Sequence, residues 1–233
     1  MLEWMYPNRC PVCAEIVMPK GTLLHTACER KLAYLKEPIC KRCGILVAME
    51  EEYCAECLVA DRGWDMGRSV FDYHSEAGRA LQRVKKEGTE ELVRFFAKEL
   101  NISQGNFIKQ VAPECIVPVP LHPAKQRKRG FNQSELLAKA LSRELEIPVR
   151  LLLKKEKKTK DQKNLNRTMR RQNVKGAFVA DADAFRQGTP ETVLLLDDVM
   201  TTGNTLSACA VALKESGVKK VVFLCVCAGE GQN

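Results

Sequence analysis

Seven cysteines and one histidine near the start of the chain fall into four pairs with two residues between partners: Cys10 and Cys13, His25 and Cys28, Cys40 and Cys43, Cys54 and Cys57. Eleven, eleven and ten residues separate successive pairs, so the spacing itself repeats. Thiolates and neutral imidazole are ordinary zinc donors, and a structural zinc takes four of them in a tetrahedron. Eight donors therefore make two zinc sites. Each site is filled by protein ligands, with no open position for a reacting water, which favours a structural role over a catalytic one. The pairing is sequential (Cys10, Cys13, His25 and Cys28 against Cys40, Cys43, Cys54 and Cys57) or an interleaved cross-brace of the same residues, and the spacing allows both. Cys115, Cys209, Cys225 and Cys227 stand in apolar segments, where a free thiol behaves as a small hydrophobe.

A second constellation lies between Val193 and Thr205. An apolar strand ends at Asp197-Asp198, a small-residue loop Thr201-Thr202-Gly203-Asn204 follows, and a helix starts at about Thr205. This order turns backbone N–H groups and the positive end of a helix toward a concavity suited to phosphate. The hydroxyls of Thr201, Thr202 and Thr205 add donors, and Gly203 permits a backbone approach that a Cβ would block. Adjacent carboxylates facing a phosphate would repel it. Asp197 and Asp198 are better explained as acceptors for sugar hydroxyls, their charge offset by magnesium or nearby Lys/Arg. A phosphorylated ribose answers both halves of the pattern, and no Walker or dinucleotide glycine pattern competes.

Strands and helices must hold that loop in place. Ser69 to Tyr73 alternates as a strand, and helices are expected over Ala77–Lys86 and Glu90–Asn101, broken at Gly88. Cys115 to Pro120 is a short buried strand ending in prolines. Asn132, with Glu135 three residues on, forms a capping box for a helix carrying Leu136, Leu137, Ala140, Leu141 and Leu145 on one face. Further strands are expected at Val149–Leu153, Thr192–Leu196 and Lys220–Cys227, with apolar character resuming over Gly176–Ala180 and a helix over Thr205–Ser216 closed by Gly217. Near-continuous apolar strands alternating with helices give an α/β fold, a mostly parallel sheet with helices on both faces. The organisation is a small zinc module over residues 1–60, a polar connector over 58–67, and an α/β domain over 68–233.

The net charge is +8, and the stretch from Lys154 to Lys175 alone holds ten Lys/Arg against Glu156 and Asp161, a local excess equal to that of the whole chain. The run is either a solvated face or an anion-binding segment. The residues from Met1 to Pro7 lack a basic region followed by an apolar stretch, and the longest apolar run, Val221 to Ala228, is too short to span a bilayer. A cytoplasmic protein without membrane insertion is expected, in a reducing compartment where paired cysteines hold metal rather than form disulfides.

The Val193–Thr205 string resembles the phosphoribosyl-diphosphate signature of type I phosphoribosyltransferases. The whole chain is similar to the ComF family, competence-associated proteins that join a zinc ribbon to a phosphoribosyltransferase domain. The likeness rests also on Val117-Pro118-Val119-Pro120-Leu121-His122, on Lys128-Arg129-Gly130-Phe131-Asn132-Gln133, and on the spaced set Thr159, Gln162, Leu165, Arg171, Asn173, Ala177 and Phe178. It implies that Thr201, Thr202, Gly203, Asn204 and Thr205 hold a 5-phosphate and Asp197 and Asp198 the ribose. Val119, Pro120, Leu121 and His122, with Lys128 and Arg129 close behind, would bind the diphosphate, with magnesium bound alongside. The basic segment from Lys154 stands where a mobile loop would cover the site. Two functions follow from the resemblance. One is a transferase moving ribose 5-phosphate from phosphoribosyl diphosphate to an unidentified acceptor. The other is a non-catalytic module of DNA-uptake machinery that touches single-stranded DNA or a partner ATPase or helicase. Only six residues follow Cys227, little chain for a segment that would contact a base, and the basic run has no Phe, Tyr or Trp on which bases could stack.

Overall fold

The computed structural model describes residues 8–19, 21–156 and 176–229. Most of the basic run, from 157 to 175, lies outside the described residues, as do Thr159, Gln162, Leu165, Arg171 and Asn173. In chain order the elements are α1 (Thr26–Glu29), α2 (Ala55–Val59), β1 (Met66–Asp72), α3 (Glu76–Glu87), α4 (Glu90–Val111), β2 (Cys115–Pro118) and α5 (Pro123–Arg129). They continue with α6 (Gln133–Leu145), β3 (Leu153–Lys155), β4 (Phe178–Ala180), α7 (Ala182–Phe185), β5 (Thr192–Met200), α8 (Asn204–Glu215) and β6 (Lys220–Ala228).

Four strands form one parallel sheet in the order β1-β6-β5-β2, and β3 pairs antiparallel with β4 beside it. Along β5, Val193 and Leu195 enter one core, which includes Leu206, Cys209, Leu213 and Phe223. Leu194 and Leu196 enter the other, with Leu81, Phe96, Leu137 and Leu141. A strand buried on both faces reads as a continuous apolar run, and here α3, α4 and α6 cover one face while α8 and the β3–β4 pair cover the other.

Local signals set most boundaries. Ser75 caps α3 by accepting from the Ala77 N–H, and Gly88, at φ 60°, ends it. Asn132 caps α6 by accepting from the Ser134 N–H at 3.1 Å, but Glu135 does not complete a capping box. It pairs instead with Lys139 at 2.6 Å, one turn along the same helix. α4 runs past Asn101 to Val111, because buried Gly105, Ile108 and Val111 extend the face begun by Phe96 and Leu100. The expected strand at 149–153 is a single parallel bridge between Ile116 and Val149, followed by β3.

The largest departure concerns β5. It continues through Asp197 and Asp198 to Met200, since β6 pairs with it along that whole length, Met200 facing Ala228. Side chains alternate across a strand, so the two carboxylates leave on opposite faces of the sheet. Residues 58–67 also differ from the expected polar connector: Leu58 and Val59 complete α2, and Arg62 and Trp64 are buried. The cysteine-rich region docks on the β1 edge. Leu35 N–H donates to the Val70 carbonyl at 2.8 Å and Asp72 N–H to that of Ala33 at 2.8 Å, while the Tyr34 ring packs at a tilt against Phe71 with centres 4.7 Å apart. Edge groups that would otherwise face solvent are thereby paired.

Candidate functional site

The donors form two groups, Cys10, Cys13, His25 and Cys28 in one and Cys40, Cys43, Cys54 and Cys57 in the other, with all ligand atoms of a group within 4.8 Å of one another. The pairing is therefore sequential. Each group is built from one turn and one short helix. In the turns, Cys10 N–H donates to the Glu15 carbonyl and Cys40 N–H to that of Ile45, and left-handed residues, Ala14 and Gly44, follow the second cysteine. The other two ligands come from the start of a helix, His25 capping α1 and Cys54 capping α2.

The geometry suits zinc. A tetrahedron with Zn–S of about 2.3 Å has S···S edges of about 3.8 Å. Cys43 Sγ lies 3.7 Å from Cys54 Sγ, and Cys13 Sγ lies 3.3 Å from His25 Nδ1. His25 Nε2 is 3.0 Å from the Ile16 carbonyl, a contact that places the proton on Nε2 and leaves Nδ1 as the donor to metal. Burial pushes the Cys28 thiol up to about 11 and Cys57 up to about 12. At Cys10 and Cys40 burial is outweighed by backbone N–H groups, which hold these thiols at about 6 and about 7. Cysteine binds zinc as thiolate, so loading either site releases the protons that its cysteines carry.

The loop after β5 borders a small cavity lined by Asp197 and by residues 199–206. Gly203, at φ 70°, precedes the first residue of α8 and its carbonyl accepts from the Ser207 N–H at 2.8 Å. The structure adds a further reason for a glycine here. A Cβ on Gly203 would lie 2.8 Å from Trp64 Cη2, so the residue answers to its left-handed backbone and to the indole packed against it. The loop is also held from the cysteine-rich side. Arg62 Nη1 donates to the Thr202 carbonyl and to Asn204 Oδ1, each at 3.1 Å, and Arg62 Nη2 pairs with Glu56 of α2.

Asp197 and Asp198 have separate surroundings. Asp197 accepts from Ser134 Oγ at 2.9 Å and from the Asp198 N–H at 2.9 Å. Burial, then the charge of Asp198, pushes its carboxyl up to about 7. Asp198 lies 2.8 Å from Lys85 Nζ of α3, close enough for an ion pair although its Oδ2 has no aligned hydrogen bond. Burial alone would lower the Lys85 pKa, but Asp198 outweighs it and holds the ammonium charged.

The Val119–His122 segment follows β2 and so lies beside β5. Val119 N–H donates to the Leu196 carbonyl at 2.9 Å, and Asn132 Nδ2 donates to the Val119 carbonyl at 3.0 Å. His122 Nδ1 caps α5 by accepting from the Ala124 N–H at 3.2 Å. Arg129 is tied to Gln133, whereas Lys128 stands exposed on α5. Lys155, at the start of the basic run, lies over the Phe178 ring at 4.7 Å, and burial followed by the charge of Lys125 lowers its pKa. Arg62, Lys85 and Ser134 carry no signal in the sequence, whereas Lys155 belongs to the basic run.

These features define a phosphoribosyltransferase-type domain joined to a double zinc-ribbon module. The chain matches the Phosphoribosyl transferase domain over residues 132–232 and the Double zinc ribbon domain over residues 1–58. It is 32% identical over 217 residues to Competence protein F of Haemophilus influenzae, covering 91% of this chain and 93% of that protein. It is 28% identical to DNA utilization protein YhgH of Salmonella typhimurium (95% and 97% covered) and 29% identical to Competence protein ComFC of Bacillus subtilis (82% and 78%). The chain belongs to the ComF family. Among the described residues no helix is long and apolar enough to cross a membrane.

Proposed function

We propose that this protein binds phosphoribosyl diphosphate, or another 5-phosphoribosyl compound, with magnesium, and transfers ribose 5-phosphate from it to an acceptor. The observation that carries this reading is the loop from Thr201 to Thr205, which joins β5 to α8 next to two buried carboxylates. Loop N–H groups and the Thr201, Thr202 and Thr205 hydroxyls hold the 5-phosphate. Asp197, which lines the cavity, accepts from ribose hydroxyls, while Asp198, on the opposite face of the strand, is held by Lys85; the segment from Val119 to His122, with Lys128 and Arg129, holds the diphosphate. Magnesium bound with the diphosphate would offset its charge beside the Val119–His122 segment. The names of the relatives support a role in competence and DNA use.

The pH dependence of binding tests the ribose assignment. Asp197 titrates at about 7 when folded, against 3.8 for an ordinary aspartate. A carboxyl raised in this way contributes stability that is present below its unfolded pKa and lost as pH rises through about 7. A ligand that needs the carboxylate must remove that proton, so ribose 5-phosphate should bind about tenfold more tightly at about pH 8 than at about pH 6. Asp197→Asn should weaken binding and flatten that dependence, leaving the shallower slope of the ligand's own phosphate. Equal pH profiles in wild type and variant, read by calorimetry, would remove Asp197 from the ribose site.

A second reading, contact with single-stranded DNA, is favoured by the local excess of +8 between Lys154 and Lys175 and by relatives named for DNA utilization. Binding should then weaken with salt at a log–log slope of about −0.7 per phosphate contact. Neutralising Lys155, Lys157, Lys158 and Lys160 together should flatten that slope. An unchanged slope would leave the segment as a cover for the small-molecule site.

A further inference from the structure

The second cysteine group and the phosphate loop are joined by a short chain of side-chain contacts. Cys54 caps α2 and Cys57 lies within it, so two ligands of one metal site bracket Glu56. Glu56 pairs with Arg62, and Arg62 spans to the Thr202 carbonyl and Asn204 Oδ1. Arg62 is 7% exposed, its Nε has no hydrogen-bond partner, and its guanidinium carbon lies 5.8 Å from the Trp64 ring centre. Trp64 in turn packs edge-on against Phe223 at 5.0 Å and under Gly203.

Burying an arginine with an unfilled Nε is costly unless its remaining donors are fixed by good acceptors. Here those acceptors are the Glu56 carboxylate, a loop carbonyl and the first side chain of α8. The C=O and N–H of a trans peptide point in opposite directions, so a Thr202 carbonyl held toward Arg62 fixes the Gly203 N–H on the other side of the loop, and fixed N–H groups are what an anion site needs. The first cysteine group makes a different contact, with Arg83 of α3 donating to the Pro11 carbonyl at 3.1 Å.

We propose that Arg62 is a positioning residue for the phosphate loop, and that the metal site at Cys40, Cys43, Cys54 and Cys57 sets the loop's geometry through Glu56 and Arg62. Only the ligand half of its test rests on the 5-phosphate reading above. Arg62 does not touch the ligand; it orders the backbone that does.

Two readouts on the zinc-loaded full chain keep the two readings apart. Without ligand, hydrogen exchange over residues 200–210 should quicken by about tenfold in Arg62→Gln, while exchange in α6 and β2 stays as in wild type. Arg62→Lys keeps the charge but not the two-pronged donor and should recover part of the protection. Cys57→Ser should act like Arg62→Gln on this segment, and Cys13→Ser should not. With ribose 5-phosphate as probe, Arg62→Gln should bind about tenfold more weakly and Glu56→Gln by a smaller factor. Exchange over 200–210 equal to wild type in Arg62→Gln, or accelerated as much by Cys13→Ser, would overturn the inference. Wild type that binds no ribose 5-phosphate, while Arg62→Gln still loosens the segment, would refute the phosphate site and leave the positioning role standing.

Discussion

Gly203→Val should abolish binding of every 5-phosphate ligand while the parallel sheet stays folded. Gly203 sits at φ 70° and a Cβ there would meet Trp64 Cη2 at 2.8 Å. A β-branched residue is poorly tolerated in a left-handed conformation, and it would also push against an indole that is itself wedged on Phe223. The loop has to move, and its N–H groups move with it. Ribose 5-phosphate and nucleoside monophosphates should lose affinity together, since the lesion lies at the phosphate and not at a base. Retained binding of either one, measured by calorimetry at a temperature where circular dichroism shows a native fold, would place the phosphate elsewhere.

Cys43→Ser should halve the zinc content, from two ions per chain to one, as read by elemental analysis of protein purified without chelator. Zinc binding to such sites is worth about 10–16 kcal/mol and is largely the folding free energy of the module that carries the ligands. Cys43 is 1% exposed and belongs to the same apolar core as Trp64, Leu206 and Phe223. The damage should therefore reach beyond the ribbon and lower the thermal midpoint of the whole chain, while α3, α4 and α6 keep their packing on the opposite face. A wild-type ratio near one would instead remove one of the two sites, with His25 the first ligand to question.

Much of this architecture is legible in the residues because the signals are local. The two-residue spacing of eight metal donors names the ribbon, and the run from Val193 to Thr205 names a strand, a loop and a helix. Even so, the strand end was misplaced. Asp197 and Asp198 look like a boundary because carboxylates are uncommon inside a buried strand, yet Asp197 is paired across to Cys225 and the ladder continues to Met200. The partner strand decides that, and it lies over twenty residues away in the chain.

The residues that surround the site were the least legible. Arg62 stands in a stretch that reads as polar connector, and only the fold shows that its acceptors are Thr202 and Asn204. Lys85 reads as one of several cations on an amphipathic helix, until the sheet brings Asp198 within 2.8 Å of it. Ser134 is hidden behind the capping role of Asn132, although its hydroxyl donates to Asp197. Gly203 was identified correctly as a glycine the loop needs, but the contact that demands it comes from Trp64, well over a hundred residues earlier. Side chains that complete a site from distant parts of the chain carry no spacing by which sequence could find them.

Titration of the zinc-loaded wild-type protein with phosphoribosyl diphosphate, with and without magnesium, tests the central claim most directly. Saturable binding that strengthens with magnesium, and that falls by one to two orders of magnitude in Asp197→Asn, is the expected result, since a charge-assisted hydrogen bond contributes about 1.5–3 kcal/mol and about 1.4 kcal/mol is tenfold. Folded protein with two zinc ions that binds no 5-phosphoribosyl compound at millimolar concentration would contradict the account.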